Sequence, residues 1–254
     1  MPQGPGPPEP LSHEAVEAAL RELYVTAEGS PLRPEERKKV PEVASMLTVL
    51  RRLKKDPLLV DAAAGRGYVG LLAAKLLGVR RVVTLERDPE RVALVRRLAR
   101  GIPEADFDVR EGGVEDRQLW PASPDVVAAL HACGPASDAV LEAAIAQRAK
   151  WLLLVPCCYA DTVPFAARAR ALADEVGVPR QSGVRRRFVE SVIDSQRTLR
   201  LEAAGYEVKV SAFVSPTITP HNLLWRARRI GPTRWSTAAR EKLARLEGTA
   251  TSGR

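Results

Sequence analysis

The stretch "LLVDAAAGRGYVGLLAAKLLGVRRVVTLERD", residues 58–88, decides how this chain is read. Its opening, "LLVDAA", is a short apolar run that ends in small residues, the composition of a strand covered on both faces. "YVGLLAAKLLG" follows, with Val69, Leu72, Ala73, Leu76 and Leu77 on one helix face. "RVVTLER" is a second strand. The turn between strand and helix carries Gly65 and Gly67, which let the backbone come close to a ligand and start the helix tightly. No Walker lysine follows, so this is not a P-loop.

The same alternation continues outward. "DPERVALVRRLAR" is a helix with proline near its start and glycine just past its end. "ADFDVREG" is a third strand, "PDVVAAL" a fourth, "ASDAVLEAAIAQRA" a helix and "WLLLVP" a fifth strand. "FAARARALADEVG" and "FVESVIDSQRTLRLEAAG" are helices, and "YEVKVSAFV" and "NLLWRARRI" close the pattern as strands. Strands that alternate with helices imply a parallel sheet covered on both sides. The last two are joined only by "SPTITPH", so they pair antiparallel.

Upstream, Ser12 is placed to cap the helix "HEAVEAALRELYVTA", which Gly29, Pro31 and Pro34 break. A second helix, "PEVASMLTVLRRLKK", ends at Pro57. The expected organisation is a disordered tail (1–10), a helical extension (11–56), an α/β domain (57–231) and a basic tail with one loose helix (232–254).

The chain has 254 residues, 45% hydrophobic and 28% charged, as a soluble globular domain has. No apolar run approaches a membrane span, and "MPQGPGPPEP" has neither the basic start nor the apolar stretch of a signal peptide. A cytoplasmic protein is expected, with no membrane partner. Lys and Arg total 39 against 31 Asp and Glu, a net charge of +8. That excess, mostly arginine, suits a polyanion partner or simply an arginine-rich surface. Three cysteines, two of them adjacent, are a poor disulfide framework.

In an open parallel sheet the ligand sits beyond the carboxyl ends of the strands, at the switch point of their order. Asp61, Ala63, Gly65 and Gly67 of the first turn therefore face a ligand. An acid ending the second strand can accept from both hydroxyls of a ribose, which selects Glu86; Asp88, just before Pro89, reads better as a helix cap.

"ALHACGPASDAV" (129–140) and "LLLVPCCYA" (152–160) hold one of three histidines and all three cysteines. Leu130 ends the fourth strand and Pro156 the fifth, so the two motifs emerge side by side at the cofactor edge with no bond needed between them. Zinc is one reading, weakened because Cys157 and Cys158 are adjacent, and no metal is expected. A covalent thiol with His131 as its base is another. The third is a pocket wall of Cys133, Cys157 and Cys158, with His131 or Tyr159 orienting or deprotonating an acceptor. Buried small cysteines, with Ser137 or Asp138 capping the next helix, are the bland alternative.

These paired runs resemble the methyltransferase-domain family marked by His-x-Cys-Gly, a (Ser/Thr)-Asp step and a later Cys-Cys-(His/Tyr). It includes tRNA 2′-O-methyltransferases and the methyltransferase half of glutathione S-transferase C-terminal domain-containing proteins. The resemblance spans roughly residues 40–230, and Ala63 departs from the family's usual glycine. It implies a Rossmann-like class I methyltransferase fold, a seven-stranded mostly parallel sheet ending in an antiparallel hairpin. It implies S-adenosyl-L-methionine as cofactor, with Leu130 beside it; after the third strand Gly113 stands where the family often has an acid, so a backbone contact from Gly113 or Val114, or the side chain of Glu111 or Asp116, takes that place. Catalysis then falls to His131, Cys133 and Tyr159. An acceptor, RNA by the charge and the family, would meet Asp138, Cys157, Cys158 and the run Arg185, Arg186, Arg187. A small-molecule or protein acceptor, or a non-catalytic S-adenosylmethionine-binding protein, stands as the alternative.

Overall fold

The computed structural model describes residues 10–25, 29, 31–53, 55–181 and 183–249. The expected disorder of residues 1–10 lies outside these except for Pro10, as do Lys54 of the basic run 51–55 and the last five residues. Two helices precede the sheet: α1 (His13–Leu20), which continues as a π-turn through Arg21–Val25, and α2 (Pro34–Arg51). The sheet strands are β1 (Leu58–Ala62), β2 (Arg81–Glu86), β3 (Asp106–Glu111), β4 (Val126–Ala132), β5 (Trp151–Pro156), β6 (Tyr206–Ala212) and β7 (Leu223–Arg229). Between them run α3 (Tyr68–Leu77), α4 (Pro89–Ala99), α5 (Ala136–Ala146), α6 (Ala166–Glu175) and α7 (Gly183–Ala203). Helix α8 (Arg234–Glu247) follows the sheet.

The strand order is β3-β2-β1-β4-β5-β7-β6. The first five strands are parallel, and β7 runs antiparallel to both β5 and β6. The order reverses between β1 and β4, which opens a crevice at their carboxyl ends. One face of the sheet packs Leu59, Val82 and Val126 against Val16, Leu20, Val43, Leu47, Leu72 and Val95 from the N-terminal helices, α3 and α4. The other packs Val60, Leu85 and Leu154 against Val140 and Leu141 of α5 and Leu201 of α7. The helical extension is thus part of the main core.

Three boundaries and the packing of the C-terminal helix differ from the sequence reading. Helix α2 starts at Pro34, not Pro41, and continues through Pro41. Both prolines suit a first turn, but Glu36 Oε2 accepts the Arg33 N–H at 2.7 Å and caps the earlier start. Strand β4 runs two residues beyond Leu130, with a register shift between Leu130 and Ala132. His131 is the extra residue, at φ +63°, so the strand bulges there. Helix α7 begins at Gly183 and absorbs the Arg185–Arg187 run expected just before it. The C-terminal helix is not loose: α8 buries Ser236 and Ala239, and Gln196 of α7 donates to Glu247 at 2.9 Å.

Candidate active site

The turn after β1 holds three left-handed residues, Ala63 (φ +53°), Gly65 (φ +60°) and Gly67 (φ +80°). Gly67 starts α3, and a Cβ there would lie 2.9 Å from Val95 Cγ2, so the glycine also sets the approach of α3 to α4. At Gly65 a Cβ would meet nothing within 4 Å. The backbone there faces open space, as a ligand cradle requires. Ala63 holds the backbone shape the family's glycine would hold, at a cost of about 1–2 kcal/mol for its Cβ.

Glu86, at the end of β2, is buried and ties the turns together. Its Oε2 accepts the Gly65 N–H at 2.7 Å and its Oε1 the Asp88 N–H at 3.0 Å. Each oxygen keeps a further acceptor site for a ligand hydroxyl. Asp88 is a helix cap, accepting from Glu90 and Arg91. Asp61 is 2% exposed and accepts the Gly70 N–H at 2.8 Å. Burial pushes its carboxyl up to about 7; the Gly70 hydrogen bond opposes that and the nearby Glu86 charge adds to it.

Two cavities, of about 530 and 650 Å³, share Ala63 and His131 and make one cleft along the carboxyl ends of β1, β2 and β4. The first is lined by Glu86, Gly113, Val114, His131 and Cys133. The second is lined by Asp61, Gly65, Leu130 and His131. The acid that reaches the cleft from the turn after β3 is Glu115, which lines the first cavity. Neither expected acid does so: Asp116 caps a short 3₁₀ turn and Glu111 ends β3.

The bulge aims His131 at a partner no motif names. His131 Nε2 lies 2.6 Å from Oε1 of Glu42, a residue of α2 only 2% exposed. Lys39 Nζ donates to the other oxygen at 2.7 Å. Burial alone raises the Glu42 carboxyl, but the hydrogen bonds from His131 and Lys39 outweigh it, and the pKa ends below the ordinary value. An ionised Glu42 accepts the N–H of Nε2, which leaves Nδ1 of a neutral ring as an acceptor. The extension braces the glycine turn as well. Tyr24 Oη donates to the Arg66 carbonyl at 2.7 Å, and Arg66 pairs with buried Glu36 at 2.9 Å. One signal pointed to Glu36: it falls on the apolar stripe that carries Val40, Val43 and Leu50, where an acid needs a reason to be, while Glu42 lies at the edge of that stripe, one turn before Met46.

The remaining predicted residues lie elsewhere. Asp138 neither caps α5 nor faces the cleft; it is buried against Arg197 at 2.8 Å and Arg200 at 3.1 Å. The N-cap of α5 is Pro135, and Ser137 Oγ donates to the Ala132 carbonyl. Tyr159 donates to both oxygens of Asp194 at 2.9 Å, and Arg197 lies over its ring. Burial and the Asp194 charge push the phenol far above its ordinary range, so it is a donor and not a base. Tyr159 lines a separate cavity of about 430 Å³ with Arg170, Arg180, Arg185, Arg186 and His221. Arg185 pairs with Asp174 at 2.9 Å, Arg186 with Glu190 at 3.0 Å, and Arg187 donates to the Gly183 carbonyl. The expectation of unbonded cysteines is overturned: Cys133 and Cys157 form a disulfide across the turns after β4 and β5. Cys158 is free, its Sγ 3.5 Å from that of Cys157.

This strand order, with its antiparallel last pair and a glycine-turn cleft at the switch point, is the Rossmann-like class I methyltransferase fold. Residues 38–163 match the family model described as "Methyltransferase domain". It is 23% identical over 191 residues to a glutathione S-transferase C-terminal domain-containing protein homolog of Drosophila pseudoobscura pseudoobscura, covering 65% of this chain and 32% of that one. It is 28% identical over 111 residues to the Mus musculus protein of the same description, covering 44% and 17%. The chain thus spans about a third or less of the length of these relatives. Two solved structures share the fold at a TM-score of 0.50. One is magnesium protoporphyrin IX methyltransferase (ChlM) from Synechocystis PCC 6803 with bound SAH, at 12% identity over 85% of this chain and 95% of that one. The other is the SAH-bound Podospora anserina methyltransferase PaMTH1, at 15% identity over 83% and 87%. Among the described residues no helix is long and apolar enough to cross a membrane.

Proposed function

We propose that this chain is an S-adenosylmethionine-dependent methyltransferase whose acceptor is RNA, working in the cytoplasm. The observation that carries the reading is the pair of buried Glu42 and half-buried His131 at 2.6 Å, set where the two lobes of the cleft meet. The cleft fits the cofactor: Gly65 is open on its Cβ side, Glu86 has acceptor capacity for ribose hydroxyls, and Leu85, Val114 and Ala139 offer an apolar wall for a base. S-adenosylmethionine, when bound, supplies a methyl group already activated on a sulfonium.

What remains for the protein is to hold the acceptor in line and take its proton, and good positioning supplies of order 7–11 kcal/mol in the best cases. His131 Nδ1 is the atom that takes the proton. Glu42 fixes the tautomer through Nε2 and stabilises the imidazolium that results. Lys39 holds Glu42 ionised. Arg33, Lys39, Arg87 and Arg91 line the rim, and the net charge of +8 favours a polyanion.

The test is transfer of labelled methyl from S-adenosylmethionine to total RNA, a protein extract and a metabolite pool. Label in RNA is expected. Label only in protein or metabolites overturns the RNA acceptor, and cofactor binding without transfer to any pool overturns the enzyme. Glu42→Gln presents an amide nitrogen to Nε2 and favours the wrong tautomer. It should lower kcat by about 10²–10⁴-fold with cofactor affinity unchanged.

A further inference from the structure

Three sulfur atoms meet beside the lobe of the cleft that Cys133 lines. Cys133 follows β4, and Cys157 and Cys158 follow β5. Their Sγ atoms all lie within 4.8 Å of one another. Neighbouring side chains on a strand point to opposite faces, but these two lie beyond Pro156, the last residue of β5, where the backbone is irregular and both turn the same way. The objection to a metal, that adjacent cysteines share one ion awkwardly, does not hold here. A tetrahedral zinc–thiolate centre with bonds of about 2.3 Å keeps its sulfurs about 3.8 Å apart. The 3.5 Å between Cys157 and Cys158 and the 4.8 Å outer limit of the cluster straddle that value.

We propose that Cys133, Cys157 and Cys158 form a three-thiolate site for a soft divalent cation, Zn²⁺ being the probe, and that the site exists only while the Cys133–Cys157 bridge is open. A dithiol delivers two electrons to the bridge, becomes a cyclic disulfide itself and leaves two thiols on the protein. With Cys158 that makes three. Zn²⁺ then displaces three protons and forms three Zn–S bonds. No His, Asp or Glu joins the cluster among the described residues. The fourth position therefore belongs to water or an exogenous ligand, and it opens beside the cleft that Cys133 lines. Bridge and metal exclude each other, because two of the three sulfurs cannot serve both.

The proposal does not rest on the methyl-transfer reading, and its test does not measure activity. The full chain is reduced anaerobically with dithiothreitol, freed of reductant and titrated with Co²⁺ and then Zn²⁺. One equivalent of Co²⁺ should give a thiolate-to-metal charge-transfer band that Zn²⁺ abolishes. Oxidised protein should give none. Cys158→Ser, which leaves the bridge intact, should weaken Zn²⁺ binding in the reduced state by at least about tenfold in competition with a chromophoric chelator. No band in the reduced protein overturns the site. So does a band of equal strength in the oxidised protein, or full affinity in Cys158→Ser. A thermal melt of Cys158→Ser matching that of the parent shows that its loss of affinity is not loss of fold.

Discussion

Replacing Asp61 by asparagine should change how stability depends on pH. Asp61 is buried at the end of β1, and its carboxyl is pushed up to about 7 by burial first, with the Glu86 charge adding and the Gly70 hydrogen bond opposing. Unfolded, it titrates near 3.9. A carboxyl raised on folding binds its proton more tightly in the native state. Its favourable contribution is complete below about pH 4 and is lost as pH rises through about 7. A tenfold difference in proton affinity between folded and unfolded chain is worth about 1.4 kcal/mol, so the full swing is about 4 kcal/mol, of which about 2.5 falls between pH 5 and pH 8. Asparagine keeps an oxygen for the Gly70 N–H and removes the titration. Urea denaturation of both proteins at half-unit steps from pH 5 to 8 isolates the effect, because all other groups cancel in the difference. Asp61→Asn should gain on the parent by about 2.5 kcal/mol across that range. A difference that stays flat within about 0.5 kcal/mol would refute the buried, raised carboxyl.

Arg197→Met takes the buried cation from between Asp138 and Asp194 and should cost about 3–5 kcal/mol, nearer the lower figure because Arg200 still pairs with Asp138 and Tyr159 still donates to Asp194. In a thermal melt that is roughly 6–20 °C, and a shift below about 2 °C would show the pair to be dispensable. Gly67→Ala forces a Cβ to φ +80° and to within 2.9 Å of Val95, and should destabilise by about 2–4 kcal/mol in the same melt. Glu86→Gln removes an acceptor from either Gly65 or Asp88 and should weaken S-adenosylmethionine by roughly 10–100-fold in a calorimetric titration; an unchanged Kd rejects the ribose assignment.

The central strands were legible because burial on both faces leaves unbroken apolar runs in β1, β4 and β5, while β3 and β6, at the sheet's edges, show only alternating apolar residues. The glycine turn and Glu86 were legible because backbone conformation restricts residue type there. What escaped depends on contacts between distant segments. Glu42 and His131 are 89 positions apart and meet only because α2 packs over the switch point. The bulge at His131 has no glycine to announce it. Tyr159 and Asp138 looked like site residues because they belong to short motifs. The structure instead links them through Asp194 and Arg197, as a buried strut that fixes the turn after β5 against α5 and α7. The start of α7 was missed because three consecutive arginines show no apolar period, although ion pairs to Asp174 and Glu190 hold two of them along the helix.

The surplus residue in β4 limits how this chain could be recombined with a relative. Beyond position 131 the strand has already exchanged its two sides once. Deleting that residue would reverse them again and carry Cys133 away from Cys157. A chimera assembled by matching strand lengths alone would join at the right place with the wrong parity; the segment from Leu130 to Pro135 has to travel as a unit.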